Sequence, residues 1–204
     1  MSKPISLIVA CTPDGGIGND DKMPWNIPRE MRKFKTITKR VNDANKINAV
    51  IMGRDTWESM DRNPLPGRLN IILTRNRYYK VPNHIKEGAA KILVAHSIHD
   101  ALVYCNEEYI ENVFIIGGAM LYNTFLESGY YFSMIDKIYL SVIFYDHNII
   151  TNKYIDMDSI FINFKIHKDY EFDDESRHRL FASYICIPKK KFRLPEELYK
   201  RGDL

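Results

Sequence analysis

Short, largely apolar runs rich in β-branched residues recur along the chain, at Ile5–Cys11, Ala49–Met52, Asn70–Leu73, Ile92–Ala95 and Val113–Ile116. They predict strands buried on both faces, because a strand with one wet face would alternate apolar and polar positions. Between them lie segments with helical spacing or helix-start chemistry: Pro28–Ile37, Arg54–Met60, Ser97–Cys105 and Ala119–Phe125. Ser97 is a candidate N-cap, with Asp100 three residues on. This alternation predicts βαβ units around a largely parallel central sheet. Toward the C-terminus the pattern changes. Lys137–Phe144, Phe161–His167 and Leu180–Ile187 read as strands with no helical pattern between them, which predicts an antiparallel edge. Pro188 and the charged run Lys189–Arg193 then end the fold, so residues 1–190 read as one domain and 191–204 as a charged tail or linker.

The 204 residues suffice for one domain with a substantial core, and 45% hydrophobic with 27% charged residues is ordinary for a soluble protein. A net charge of +3 is too small to point to nucleic acid. The cysteines, Cys11, Cys105 and Cys186, are far apart and odd in number. They form no CxxC pair, and the histidines form no HExxH, so neither a disulfide framework nor a metal site is expected. A reducing, cytoplasmic setting fits best. Ile5–Cys11 reads as a first strand rather than a secretory leader, and no run approaches the roughly 20 apolar residues that span a bilayer.

Candidate chemistry begins at Met23-Pro24-Trp25-Asn26-Ile27-Pro28-Arg29-Glu30. Pro28 suits the first turn of a helix, where its missing N–H costs nothing. Glu30 follows in that turn, beside an apolar stripe of Met31, Phe34 and Ile37. Such a carboxylate is either a capping residue or an active-site acid. Before it, Asp14-Gly15-Gly16-Ile17-Gly18 is either a loop that lets backbone approach a ligand or a long flexible turn. Ile115-Ile116-Gly117-Gly118-Ala119-Met120 runs from strand through glycines into helix, which aims backbone N–H groups at a phosphate. It is not the GxGxxG fingerprint. Gly53-Arg54-Asp55-Thr56 repeats the design, and Leu73-Thr74-Arg75 puts a hydroxyl and a cation at another strand end. Together these ends favour one dinucleotide along the carboxyl edge of the sheet. Pro64-Leu65-Pro66-Gly67-Arg68 is a stiff turn whose arginine either captures a carboxylate or is simply solvated.

In order and spacing these motifs resemble the dihydrofolate reductase family. The likeness runs from Ile5 to about Phe144 through MPWNIPRE, IMGRDTWESM, NPLPGRLNIILTR, SIHDAL, IIGGAMLYNTFL and KIYLSVI. It implies an α/β fold with a mostly parallel central sheet of about eight strands, ending antiparallel and flanked by helices. The implied reaction is NADPH-dependent reduction of 7,8-dihydrofolate to 5,6,7,8-tetrahydrofolate. By the same resemblance, Glu30, Trp25 and Tyr122 form the catalytic set: Glu30 grips the pterin and promotes its protonation, Trp25 holds a water, and Tyr122 lies by the nicotinamide. Ile8, Val9, Met31, Phe34, Met60, Leu65, Ile116 and Ser141 join Glu30 around the substrate, and Arg68 takes the carboxylate of its glutamate tail. Ala10, Ile17, Gly18 and Met23 flank the nicotinamide. Gly53, Arg54, Thr56, Gly117, Gly118, Ala119 and Met120 hold the pyrophosphate, and Leu73, Thr74 and Arg75 the 2′-phosphate end. A cis peptide is implied at Gly117–Gly118.

Some positions depart from the family pattern. Asp55 puts a negative charge near the phosphates, which weakens binding unless Arg54 or Arg75 compensates. Asp146–Asp156 lacks the usual acidic-Thr and Phe-Pro pattern, which puts its contacts with the Gly15–Met23 loop in doubt. Lys39–Lys46 reads as a surface insertion. The implied partners are dihydrofolate and antifolate-type molecules, with no nucleic acid and no membrane. The chain is expected to work as a monomer, the alternative being fusion to or association with thymidylate synthase. Two competing functions are a reductase of the same fold acting on another pyrimidine or pteridine, and a non-catalytic folate- or nucleotide-binding protein.

Overall fold

A computed structural model describes residues 3–20, 22–81, 91–144, 149–173 and 179–189. Strand β1 (Ile5–Cys11) shows why the apolar runs are continuous. Leu7, Val9 and Cys11 enter the larger core cluster, while Ile8 points the other way, into a second cluster with Val50, Met52, Phe114 and Ile116. Successive side chains leave a strand on opposite faces, so a sheet covered on both sides needs apolar residues at every position.

The remaining strands of the main sheet are β3 (Ile47–Gly53), β4 (Arg68–Leu73), β5 (Lys91–Ala95), β6 (Ile110–Ile115), β7 (Ile135–Ile143), β9 (Phe164–Asp173) and β10 (Arg179–Pro188). They form one 8-stranded sheet in the order β5-β4-β3-β6-β1-β7-β10-β9. All pairings from β5 to β7 are parallel, and β10 runs antiparallel to both β7 and β9. The crossover helices are α1 (Pro28–Lys39), α2 (Arg54–Ser59), α3 (Ile98–Tyr104) and α4 (Ala119–Glu127), followed by the short α5 (Gly129–Phe132). Ser97 caps α3 as expected, accepting from Asp100 N at 3.0 Å.

The C-terminal reading needs correction. Residues Met157–Asn163 form a helix, α6, so Phe161–Asn163 are not strand, and a helix does lie between β7 and β9. Asp156 caps it, accepting from Ser159 N at 2.9 Å, and Ile160 anchors it in the core. That Asp-x-x-Ser signature is visible in the sequence, but the apolar residues Ile160–Phe164 mask it as a strand. A small second sheet pairs β2 (Gly16–Gly18) with β8 (Lys153–Tyr154). The expected tail, 191–204, lies outside the described residues, as do positions 146–148 of the atypical segment.

Parallel register brings several carboxyl ends to one edge. Gly53 stands beside Leu73, Leu73 beside Ala95, and Ile51 beside Ile115. Every strand end singled out for phosphate chemistry is on that edge.

Candidate active site

Helix α1 starts at Pro28 with no side-chain cap, and Met31 N donates to Ile27 O at 3.1 Å. Glu30 is 6% exposed, and it and Thr38 are the buried residues of this helix. The buried face therefore runs through two polar residues. Phe34 and Ile37 are half-buried against the second cluster, and Met31 is 43% exposed rather than part of the buried stripe. Glu30 shares a narrow cleft with Ile8, Phe34, Tyr139 and Ser141. Burial raises its carboxyl pKa above the usual value, against the opposing pull of a Ser141 hydrogen bond and the nearby Lys33 cation. Its polar partner thus lies on β7, across the cleft.

Tyr122, from α4, is buried and donates to Ile8 O at 2.6 Å. Burial, then the charge of Glu30, pushes its phenol pKa upward, so it remains a neutral donor. Trp25 is buried with Ile27, Ile143 and Phe181, against Ala10, and its Nε1 finds no hydrogen-bond partner among the described residues. A buried indole N–H without an acceptor is costly unless water or a ligand supplies one.

At the carboxyl edge, Gly53 N donates to Gly117 O at 2.8 Å, joining the ends of β3 and β6. The Gly117–Gly118 peptide is cis, and Gly117 has φ +125°. A Cβ on Gly118 would come within 3.1 Å of Thr56 Oγ1. Helices α2 and α4 both begin after a glycine, with no side chain capping their first N–H groups. Those N–H groups are open to an anion, and the dipoles favour one. Ala119 and the exposed Met120 open α4. Thr74 is buried just past Leu73, its N donating to Ala95 O, and Arg75 beside it is exposed. The set suits a phosphate-bearing dinucleotide. Asp55 is compensated by Arg54, whose Nη2 lies 3.3 Å from it, and Glu58 lies 3.9 Å from Arg54 Nε.

Arg68 is 2% exposed, so it is not a solvated turn residue. Its Nη1 donates to Thr38 Oγ1 at 2.6 Å and its Nε to Pro66 O at 3.3 Å. Among the described residues no carboxylate lies within ion-pair distance, and burial lowers its pKa to about 10. A buried cation without a counter-ion is poised to receive one. Asn70 pins the turn, accepting from Leu65 N at 2.9 Å and donating to Leu65 O at 3.0 Å. Met60 and Leu65 pack against the Ile8–Ile116 cluster. Thr38 lies two turns beyond Glu30, about 12 Å along the helix, so the buried carboxylate and the guanidinium that Thr38 holds are spaced along the buried face of α1. Sequence reasoning missed Thr38, although Glu30, Phe34 and Thr38 stand at the i, i+4, i+8 spacing of one face.

The remaining expected residues lie on β1 and in the Gly15–Met23 loop. Val9 faces the larger core, opposite to Ile8. A Cβ on Gly15 would meet Ile155 O at 2.7 Å, and one on Gly16 would strike Thr151. These two glycines admit the protein's own 151–157 segment. Ile17 packs on the larger core, Gly18 sits in β2, and Met23 is exposed. The segment in doubt does reach this loop, through different residues. Asn152 Oδ1 accepts from Asp20 N, its Nδ2 donates to Asp20 Oδ1, both at 2.8 Å, and Asn152 N donates to Gly18 O at 2.9 Å.

Residues 4–182 match the family model described as Dihydrofolate reductase. A dihydrofolate reductase of Candida albicans is 44% identical over 133 residues, covering 63% of this chain and 65% of that protein. A bifunctional dihydrofolate reductase-thymidylate synthase of Daucus carota is 39% identical over 130 residues, 60% of this chain and 23% of that one. The matched stretch therefore spans less than two thirds of either relative. Among solved structures, dihydrofolate reductase from Enterococcus faecalis, complexed with NADP(H) and RAB-propyl, superposes with a TM-score of 0.69 at 23% identity, covering 93% of this chain and 99% of that one. At that identity the likeness concerns the fold. Among the described residues no cluster of potential metal ligands occurs, and no helix is long and apolar enough to cross a membrane.

Proposed function

The chain belongs to the dihydrofolate reductase family, and from that premise we propose that it reduces 7,8-dihydrofolate to 5,6,7,8-tetrahydrofolate with NADPH. The observation that carries this reading is Glu30, a carboxylate buried in a narrow cleft, with Arg68, buried without an ion-pair partner among the described residues, held by Thr38 two turns farther along the same helix. Glu30 presents two oxygens to N3 and the 2-amino group of the pterin, a planar fork it can match. Because burial raises its pKa, it keeps a proton further up the pH scale than a surface carboxyl, and it promotes protonation at N5. Trp25 Nε1 supplies a donor for the water that carries that proton. Ser141 orients Glu30 and supports the pterin amino group. Arg68, held by Thr38, takes the α-carboxylate of the glutamate tail, and Met60 and Leu65 pack on the ring before it.

When bound, NADPH supplies the hydride. The chain's part is to hold it: Gly53, Arg54, Thr56 and Gly117–Met120 cradle the pyrophosphate, while Thr74 and Arg75 meet the 2′-phosphate. Tyr122 stays neutral and fixed on Ile8 O, shaping the wall beside the reacting rings. The test is loss of NADPH absorbance when dihydrofolate is added to the purified chain. Steady oxidation is expected. Tight folate binding with no oxidation would favour a non-catalytic folate-binding protein instead.

A further inference from the structure

Lys33 stands one helical turn after Glu30 on α1 and lines the same cleft. Its side chain is only 23% exposed, low for a lysine. Its ammonium is held from three sides: an ion pair with Asp169 of β9, a hydrogen bond of 2.7 Å to Ser183 Oγ of β10, and the Tyr170 ring, with its centroid 5.5 Å away. Ser183 is buried and stands directly opposite Ser141 in the β7–β10 ladder, and Ser141 bonds Glu30. A polar seam therefore runs from the buried carboxylate across two strands to an ion pair at the sheet edge. Glu30 and Ser141 have their roles in the reaction, but Ser183, Lys33 and Asp169 have none yet.

We propose that Lys33 is a positioning residue for the reaction, its cation clamped by Asp169 and Ser183 at a distance from Glu30 that sets the pH range over which turnover runs. The inference rests on the proposed reductase activity. Among the described residues, the other titratable groups around Glu30 are Tyr139 from β7, Tyr184 from β10 and Tyr122 from α4, whose phenol burial keeps neutral. Arg29, the residue before Glu30, contacts Tyr170 OH at 3.3 Å. Asp169 reaches the cleft through Lys33. Lys33 favours the ionised form of Glu30, while Asp169 neutralises part of that effect. Removing the charge of Lys33 and removing that of Asp169 must then act with opposite sign.

The experiment is the pH dependence of kcat for wild type, Lys33→Met, Lys33→Arg and Asp169→Asn. Turnover needs the proton, so it falls as pH rises through the apparent pKa. Lys33→Met should move that fall to higher pH and Asp169→Asn to lower pH, each by roughly 0.5–1 unit for a partly screened charge. Lys33→Arg should keep the wild-type midpoint. A purely structural role would lower kcat or stability without displacing the midpoints in opposite directions. Coincident midpoints, or shifts of the same sign, would overturn the assignment while leaving the reductase reading intact. Absence of wild-type turnover at every pH would instead overturn the reading on which it rests.

Discussion

Glu30 shows how a single residue trades stability for chemistry. Its folded pKa is raised above the ordinary carboxyl value of 4.5 because burial penalises the charged form. Such a group contributes most below its unfolded pKa, and that contribution is lost as pH rises through the folded pKa. Glu30→Gln should therefore raise the melting temperature by a few degrees at neutral pH, with the gain vanishing below about 4.5, where both proteins carry a neutral side chain. The same variant should lose turnover by on the order of 100-fold while retaining NADPH affinity. Calorimetry at two pH values and steady-state kinetics check both halves. A variant with undiminished turnover would remove Glu30 from the proton step. Its place in the first turn behind Pro28 left Glu30 either a cap or an active-site acid, and the family resemblance alone chose between them. The Glu30 partner Ser141 is more than a hundred residues away, and only the pairing of β1 with β7 brings that strand beside the cleft.

Among the elements, the glycine loop is the one whose role the fold altered. Gly15 and Gly16 are small because the 151–157 segment lies against them, and β2 pairs with β8 rather than hanging free. Asn152 clasps Asp20 through two side-chain bonds on an exposed surface. Asn152→Ala removes both bonds but leaves the backbone bond from Asn152 N to Gly18 O. Hydrogen exchange at the Asp20 amide should speed up, while global stability changes by about 1 kcal/mol or less. Unchanged exchange at Asp20 would show that the clasp does not restrain the loop. Helix α6 was hidden for a related reason. Its apolar residues Ile160–Ile162 run into Phe164 of β9 with only Asn163 between them, and periodicity cannot separate a short helix from a strand in such a run.

For the whole molecule, a sheet covered on both faces leaves its cysteines sealed. Cys11, Cys105 and Cys186 are free and buried, and burial pushes each thiol up to about 12. Thiolate is the reactive form, so a thiol reagent at neutral pH should label none of them in the native protein and all of them once denaturant is added. Fast native labelling would mean that the core opens far more often than this packing allows. Since these cysteines come from β1, the end of α3 and β10, their common protection reports on the whole sheet.

By itself the sequence determined the parallel sheet, its antiparallel close and the set of strand ends that carry donors and cations. Those properties follow from local periodicity, from glycine placement and from the rule that parallel strands need helical crossovers. Tertiary structure alone decided that Glu30 and Thr38, not Met31, form the buried face of α1, and that Arg68 is buried with no carboxylate partner among the described residues. It also decided that Lys33 is tied to two distant strands. Burial and ion pairing depend on which surfaces meet across the sheet, and no spacing along one segment records what another segment brings to it.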